Sequence, residues 1–165
     1  MTLKNVCMVL ILLAIAGSLE AKNMHKVFGT DDKTIKNSCK VGLYMIDMIP
    51  VMSVDQIQGE NYVYDYRIIQ SISLNKKAGT VFANAVLDTN QYVYGDAKRC
   101  PFMGKYALHF RQGKHSVTIV ISVEPCEKVV IFCPGSVIDK KHIDLIAGSS
   151  LIAAFTGMFG VEKKK

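Results

Sequence analysis

Residues 105–123 read K-Y-A-L-H-F-R-Q-G-K-H-S-V-T-I-V-I-S-V. Tyr106, Leu108 and Phe110 alternate with small or polar residues, and Val117, Ile119, Ile121 and Val123 repeat the pattern after Gln112-Gly113-Lys114-His115. Successive strand side chains point to opposite faces, so each run puts its apolar set on one side. Gly113 supplies the positive φ that a tight hairpin turn needs. With Gly113 and Lys114 as a two-residue loop, Phe110 faces Val117, Leu108 faces Ile119 and Tyr106 faces Ile121. That register gathers the large apolar side chains on one face, and a one-residue slip would scatter them.

Downstream, Lys128 to Cys133 reads as a third strand, broken by Pro134-Gly135-Ser136. Upstream, Val41 to Ile49 is an apolar strand ended by Pro50. Tyr62 to Leu74 alternates as one long strand. Tyr62, Tyr64, Tyr66, Ile68, Ile72 and Leu74 share a face, with Gln70 the exception, and Val63, Asp65, Arg67, Ile69, Ser71 and Ser73 share the other. Asn75 is placed as a helix N-cap, followed by Ala78, Val81, Phe82, Ala85 and Val86 at helical spacing, with Asp88-Thr89-Asn90 closing the helix. Val137 to Phe159 is predicted to be helical. Strands in runs with few helices between them indicate α+β: an antiparallel sheet of about five strands with one or two helices packed on one face.

The N-terminus fixes the compartment. Lys4 precedes an apolar run from Val6 to Ile15, and Ala16 to Ala21 is mostly small. This is the layout of a signal peptide over residues 1–21, cleaved after Ala21. The protein is then secreted or periplasmic. Residues 22–40 form a polar lead-in, 41–161 a single domain and 162–165 a basic tail. The net charge is +6, but the lysines lie in scattered pairs (Lys76-Lys77, Lys98-Arg99, Lys140-Lys141), not on a stripe with interleaved aromatics. A nucleic-acid partner is not expected. Leu145 to Val161 carries no charge and precedes Glu162 and three lysines, which gives a membrane-associated reading. The stretch falls short of the ~20 apolar residues of a span and contains several glycines, so a helix docked on the sheet is favoured.

An oxidising destination makes the cysteines structural candidates. The hairpin register places Cys100 opposite position 127, one residue from Cys126, and both sit beside prolines where the backbone can adjust. Cα atoms at adjacent strand ends approach to the roughly 5–6 Å a disulfide needs. Cys7 is expected to leave with the leader, and the four remaining cysteines allow three pairings. Cys100–Cys126 is the preferred bridge, and Cys39 and Cys133 are left as a second bridge or as buried free thiols. There is no C-x-x-C, and the histidines are dispersed, so no metal or cofactor is implied.

No catalytic motif emerges. His109 and His115 flank the hairpin turn and are the residues on which a small hydrolase would rest, if either meets a carboxylate or hydroxyl in a cleft. Asp65 and Arg67 are candidates for an anion site or a cross-strand ion pair. The tyrosines at 62, 64 and 66 suit a ligand platform, but core and sheet packing beneath a helix is favoured, because their face continues into Ile68, Ile72 and Leu74. The leading expectation is a non-catalytic binding or accessory factor whose partner is an envelope or extracellular protein.

Arg99-Cys100-Pro101-Phe102, Tyr106-Ala107-Leu108-His109-Phe110, the strand Val117 to Val123 and Pro125-Cys126-Glu127-Lys128-Val129 together resemble small exported or lipid-anchored bacterial proteins. Those proteins share a cysteine, a Y-A-x-x-F strand, a glycine hairpin and a second cysteine. The helix ending at Leu87-Asp88, with Tyr92 or Tyr94 after it, fits the same pattern, and the likeness covers about residues 62–133. It implies an α+β fold and an envelope compartment, and no particular activity. The lipid-attachment cysteine of some of those proteins is lacking here.

Overall fold

The computed structural model describes Phe28 and residues 31–50, 61–93, 98–123, 125–132 and 141–159. The leader, the tail and Cys133 lie outside the described residues. The strands are β1 (Lys40–Ile46), β2 (Tyr62–Val63), β3 (Tyr66–Leu74), β4 (Tyr92–Val93), β5 (Gly104–Gln112), β6 (His115–Ser122), β7 (Lys128–Phe132) and β8 (Lys141–Leu145). The helices are α1 (Asp32–Lys36), α2 (Lys76–Leu87) and α3 (Ser150–Phe159). One sheet of eight strands runs in the order β2-β3-β1-β5-β6-β7-β8-β4, antiparallel throughout.

The central hairpin has the register that the apolar pattern dictates: Phe110 pairs Val117, Leu108 pairs Ile119 and Tyr106 pairs Ile121. Gly113 has φ of +59° while Lys114 keeps a negative φ, the sign pattern of a type II′ turn. A Cβ at Gly113 would meet no atom within 4 Å, so its cost is backbone strain alone. Gly113→Ala is expected to lower stability by about 1–2 kcal/mol, read as a shift in urea midpoint.

Among the described residues the sheet has eight strands, not about five, and three α-helices accompany it, not one or two. The expected strands are found with two corrections: the first ends at Ile46, not Ile49, and Tyr62 to Leu74 is divided in two. β2 and β4 are two-residue pairings, too short to leave a periodic signal. β8 occupies part of the stretch predicted to be helical. It pairs with both β7 and β4, and buries Ile143 and Leu145 in the core. Pairing on both edges outweighs the local helical appearance, and Gly148 (φ +69°) turns the chain into α3.

The stretch from Tyr62 to Leu74 is also not one strand. Tyr64 (φ +55°) and Asp65 make a tight turn that folds β2 back on β3, pairing Val63 with Tyr66. Further along, Met45 pairs Gln70 but Ile46 pairs Ile68, so Ile69 is an extra, bulged residue. The bulge switches the pleat. Tyr66 and Ile68 therefore face one side of the sheet, Ile72 and Leu74 the other, and Ile69 is left exposed.

Each face of the sheet has its own apolar cluster. The first face carries Leu43, Leu108, Phe110, Ile119, Ile121, Val129 and Leu145 beneath the helices. Asn75 caps α2 by accepting from the Ala78 amide at 2.9 Å, as expected. The inward side of α2 is Gly79, Phe82, Ala83 and Val86, whereas Val81, placed inward by the spacing argument, is exposed. α3 docks through fully buried Leu151 and Phe155, and Tyr106 stacks on Phe155 at 5.2 Å and Phe159 at 5.4 Å. Buried Gln91 joins the two helices: its Nε2 donates to the Ala85 carbonyl and its Oε1 accepts from the Leu151 amide. Phe28 and Ile35, from the polar lead-in, also enter this core. No helix among the described residues is long and apolar enough to cross a membrane.

The second face is half apolar. Ile46, Val63, Tyr66, Ala107, Val120, Val130 and Phe132 form a smaller cluster. Tyr64, at the tip of the folded-back hairpin, lies against Phe132 on β7, with ring centroids 3.8 Å apart. The hairpin thus arches over the sheet from its edge, and the other half of that face becomes a cleft.

Cys100 and Cys126 are joined by a disulfide with Cα atoms 5.9 Å apart. The β5–β6 register slips by one residue between Tyr106 and Gly104, which now pairs Ser122. Continued outward, that slip brings Cys100 opposite Cys126 instead of position 127. Cys39, expected in a second bridge or as a buried thiol, is neither: it is free and exposed, and donates to the Arg111 carbonyl at 3.3 Å.

Candidate functional site

Cross-strand partners lie on the same side of a sheet, so the pairing lists define the second face as a grid. One row runs Ser73–Gly42–His109–Thr118 and the next Lys40–Arg111–Ser116, while Ser71–Tyr44 leads into the apolar half. Two adjoining grooves follow this grid. One is lined by Lys40, Gly42, Tyr44, Ser73, His109 and Arg111, among others, and the other by Tyr44, Tyr62, Tyr64, Ser71, His109 and Thr118. Tyr44, Ser71 and His109 belong to both, so His109 stands where the grooves meet. The folded-back β2 walls the second groove.

Gly42 shapes the floor. An ideal Cβ there would lie 2.3 Å from the Tyr44 hydroxyl, so only glycine leaves room for the tyrosine ring to lie along β1. This is an aromatic side chain covering a strand glycine. Burial raises the Tyr44 phenol above its ordinary pKa and keeps it a neutral hydroxyl.

His109 is half-buried, and its Nδ1 lies 2.9 Å from the Thr118 hydroxyl. Thr118 itself is only 4% exposed. It is placed to fix the ring, with its side chain almost wholly buried. The imidazole pKa is pushed below its ordinary value, first by burial and then by the charge of Arg111. The unfolded chain therefore binds a proton that the folded chain resists. Stability is full above the unfolded histidine pKa of about 6.5 and declines as pH falls towards the lower folded value. His109→Gln, which preserves a polar partner for Thr118, should flatten the acid slope of urea-unfolding free energy between about pH 6.5 and 5.

The other sequence candidates are not gathered here. His115 is exposed at the hairpin end, and the alternation of β6 turns it to the opposite face from Thr118. His109 and His115 are therefore not brought together. Arg67 pairs with Asp47 at 3.4 Å, both well exposed, beside the end of β1. Such a pair contributes little to stability. Asp65 sits in the turn after Tyr64. Lys40, Tyr44, Ser73 and Arg111 were not singled out by the sequence. Their convergence depends on β1 lying between β3 and β5, which no local pattern encodes. Among the described residues no cluster of histidine, cysteine and acidic side chains suits a metal ion.

No protein-family model matches the chain, and no curated protein matches it. Among solved structures, the crystal structure of a candidate lipoprotein from Clostridium perfringens is similar over 82% of this chain and 95% of that one, with 9% sequence identity and a TM-score of 0.48. A likeness of that degree is too low to carry fold or function from one chain to the other.

Proposed function

We propose that this is an exported, non-catalytic binding protein of the cell envelope or its surroundings, and that it works through the cleft on the second sheet face. The observation that carries the reading is the composition of that cleft. Its two grooves join a ring-fixed histidine to two cations and several hydroxyls, and among the described residues no carboxylate lines either of them. General acid–base hydrolysis needs an activated nucleophile beside a base, commonly oriented by a third group. Among the described residues the one hydroxyl bonded to His109 is that of buried Thr118. The arrangement suits recognition of polar groups. The signal-peptide layout and the disulfide support an oxidising destination outside the cytosol. The partner in this reading is an envelope or extracellular protein.

Purified protein carrying a photo-crosslinker at Ser73, added to envelope extracts, should capture one stoichiometric partner, and Arg111→Glu should abolish the capture. Steady turnover of ester, amide or glycoside substrates that disappears in His109→Gln would overturn the reading in favour of a hydrolase. The hydrolase alternative has one observation behind it: His109, unlike His115, does meet a hydroxyl within a cleft.

A further inference from the structure

Lys40 and Arg111 are direct cross-strand partners between β1 and β5. Like charges in that relation repel, and a sheet normally answers them with an acid nearby. Neither forms an ion pair: the pairs among the described residues are Arg67–Asp47 and Lys128–Asp144. Arg111 spends its Nε donor on the Gly113 carbonyl at 3.3 Å, which still leaves its terminal nitrogens. Next in the grid stands His109, with Nδ1 occupied by Thr118 and Nε2 as its remaining ring nitrogen. Ser73 faces it across Gly42. Two unanswered cations, an imidazole and hydroxyl donors in one groove make a concentrated positive field over donors without an anion.

We infer that this groove binds an oxyanion group, seated between Lys40 and Arg111 and reaching His109. The inference rests on the reading of the cleft as a binding site and names the chemistry it recognises: a sulfate- or phosphate-type group, free or carried on a larger ligand. It also sets a pH dependence. The groups facing His109 are Lys40 and Tyr44 from β1, Arg111 from its own strand, the uncharged Ser71 and Ser73 from β3, Thr118 and Ser116 from β6, and Tyr62 and Tyr64 from the hairpin. None of these described residues is acidic, and burial and Arg111 oppose protonation. A bound anion reverses that balance and favours the imidazolium. By linkage, affinity then rises as pH falls.

The probe is sulfate, whose charge is constant over the range tested, titrated into the purified protein at constant ionic strength. The readout is the NMR signal of the His109 ring. A saturable shift is expected, with tighter binding at pH 5.5 than at 7.5 and an upward move of the His109 titration midpoint. K40Q and R111Q should each weaken binding about tenfold or more. H109Q, followed by titration calorimetry since the reporter ring is gone, should retain weak sulfate binding without the pH dependence, and H115Q should behave as the parent. Pelleting with phosphatidylglycerol vesicles, lost in R111Q, would assign the oxyanion to a lipid headgroup. Sulfate binding without pelleting assigns it to a free or protein-borne group. An unsaturable shift, or one unchanged in R111Q, overturns the inference. Capture of an envelope partner that persists despite that failure would leave the binding role standing, so the two ideas fail separately.

Discussion

Asp144→Ala should lower the free energy of unfolding by about 3–5 kcal/mol, the cost of stranding a buried charge. Lys128 and Asp144 are register partners on β7 and β8, 3.8 Å apart, with side chains 10% and 5% exposed. Lys128 Nζ also donates to the carbonyls of Lys98 and Cys100, and Asp144 accepts from the Lys98 amide. Lys98 in turn donates its Nζ to the Leu145 carbonyl at 2.7 Å. The pair is thus a staple that fastens the 98–100 segment across the strand ends, and its polar atoms are all satisfied. Removing the carboxylate leaves an ammonium in a site that water barely reaches. A urea midpoint lower by about 2 M is expected for a domain of this size. The combined change Lys128→Met, Asp144→Leu should recover most of that loss, since replacing a whole buried pair is often close to neutral. A midpoint shift under about 0.5 M for Asp144→Ala would show that the pair is not desolvated as its burial indicates.

The same staple shows why part of this fold was legible in the sequence and part was not. Alternation in 105–123 set the central register because Gly113 permits only a short loop and the apolar residues allow only one phase. Asn75 announced α2 because a cap is a local hydrogen bond. By contrast, Lys128 and Asp144 look like ordinary surface charges, and only the pairing of β7 with β8 buries them together. The bulge at Ile69 hides in an apolar run, yet it alone decides that Tyr66 and Ile72 face opposite ways. The turn at Tyr64 is equally silent, because tyrosine at positive φ runs against local preference. The cleft inherits both. Its wall is the hairpin made by Tyr64, and its serines reach the right face because Ile69 shifts the pleat. His109 could be named from its place beside the turn, but its neighbours come from strands distant in sequence.

Loss of the Cys100–Cys126 bridge carries the second large effect. Its two cysteines are 26 residues apart, and closing such a loop stabilises by about 3–4 kcal/mol in the chain-entropy model. The double variant Cys100→Ser, Cys126→Ser should lose about that much, and mild reduction of the parent should reproduce it. Cys126 is fully buried, so Cys126→Ser also leaves a hydroxyl in an apolar place, and alanine there separates that contribution from the bridge itself. The bridge and Lys128 hold the same segment, since Lys128 donates to the Cys100 carbonyl at 3.0 Å. Their effects are therefore not additive. With Lys128→Met already present, the 98–100 segment is held by the disulfide and the Lys98 hydrogen bonds, and removing the bridge then leaves it only the latter. The combined loss should exceed the sum of the separate ones by about 1 kcal/mol. Strict additivity would mean that the two fastenings act on independent parts of the chain, contrary to the hydrogen bond that joins them.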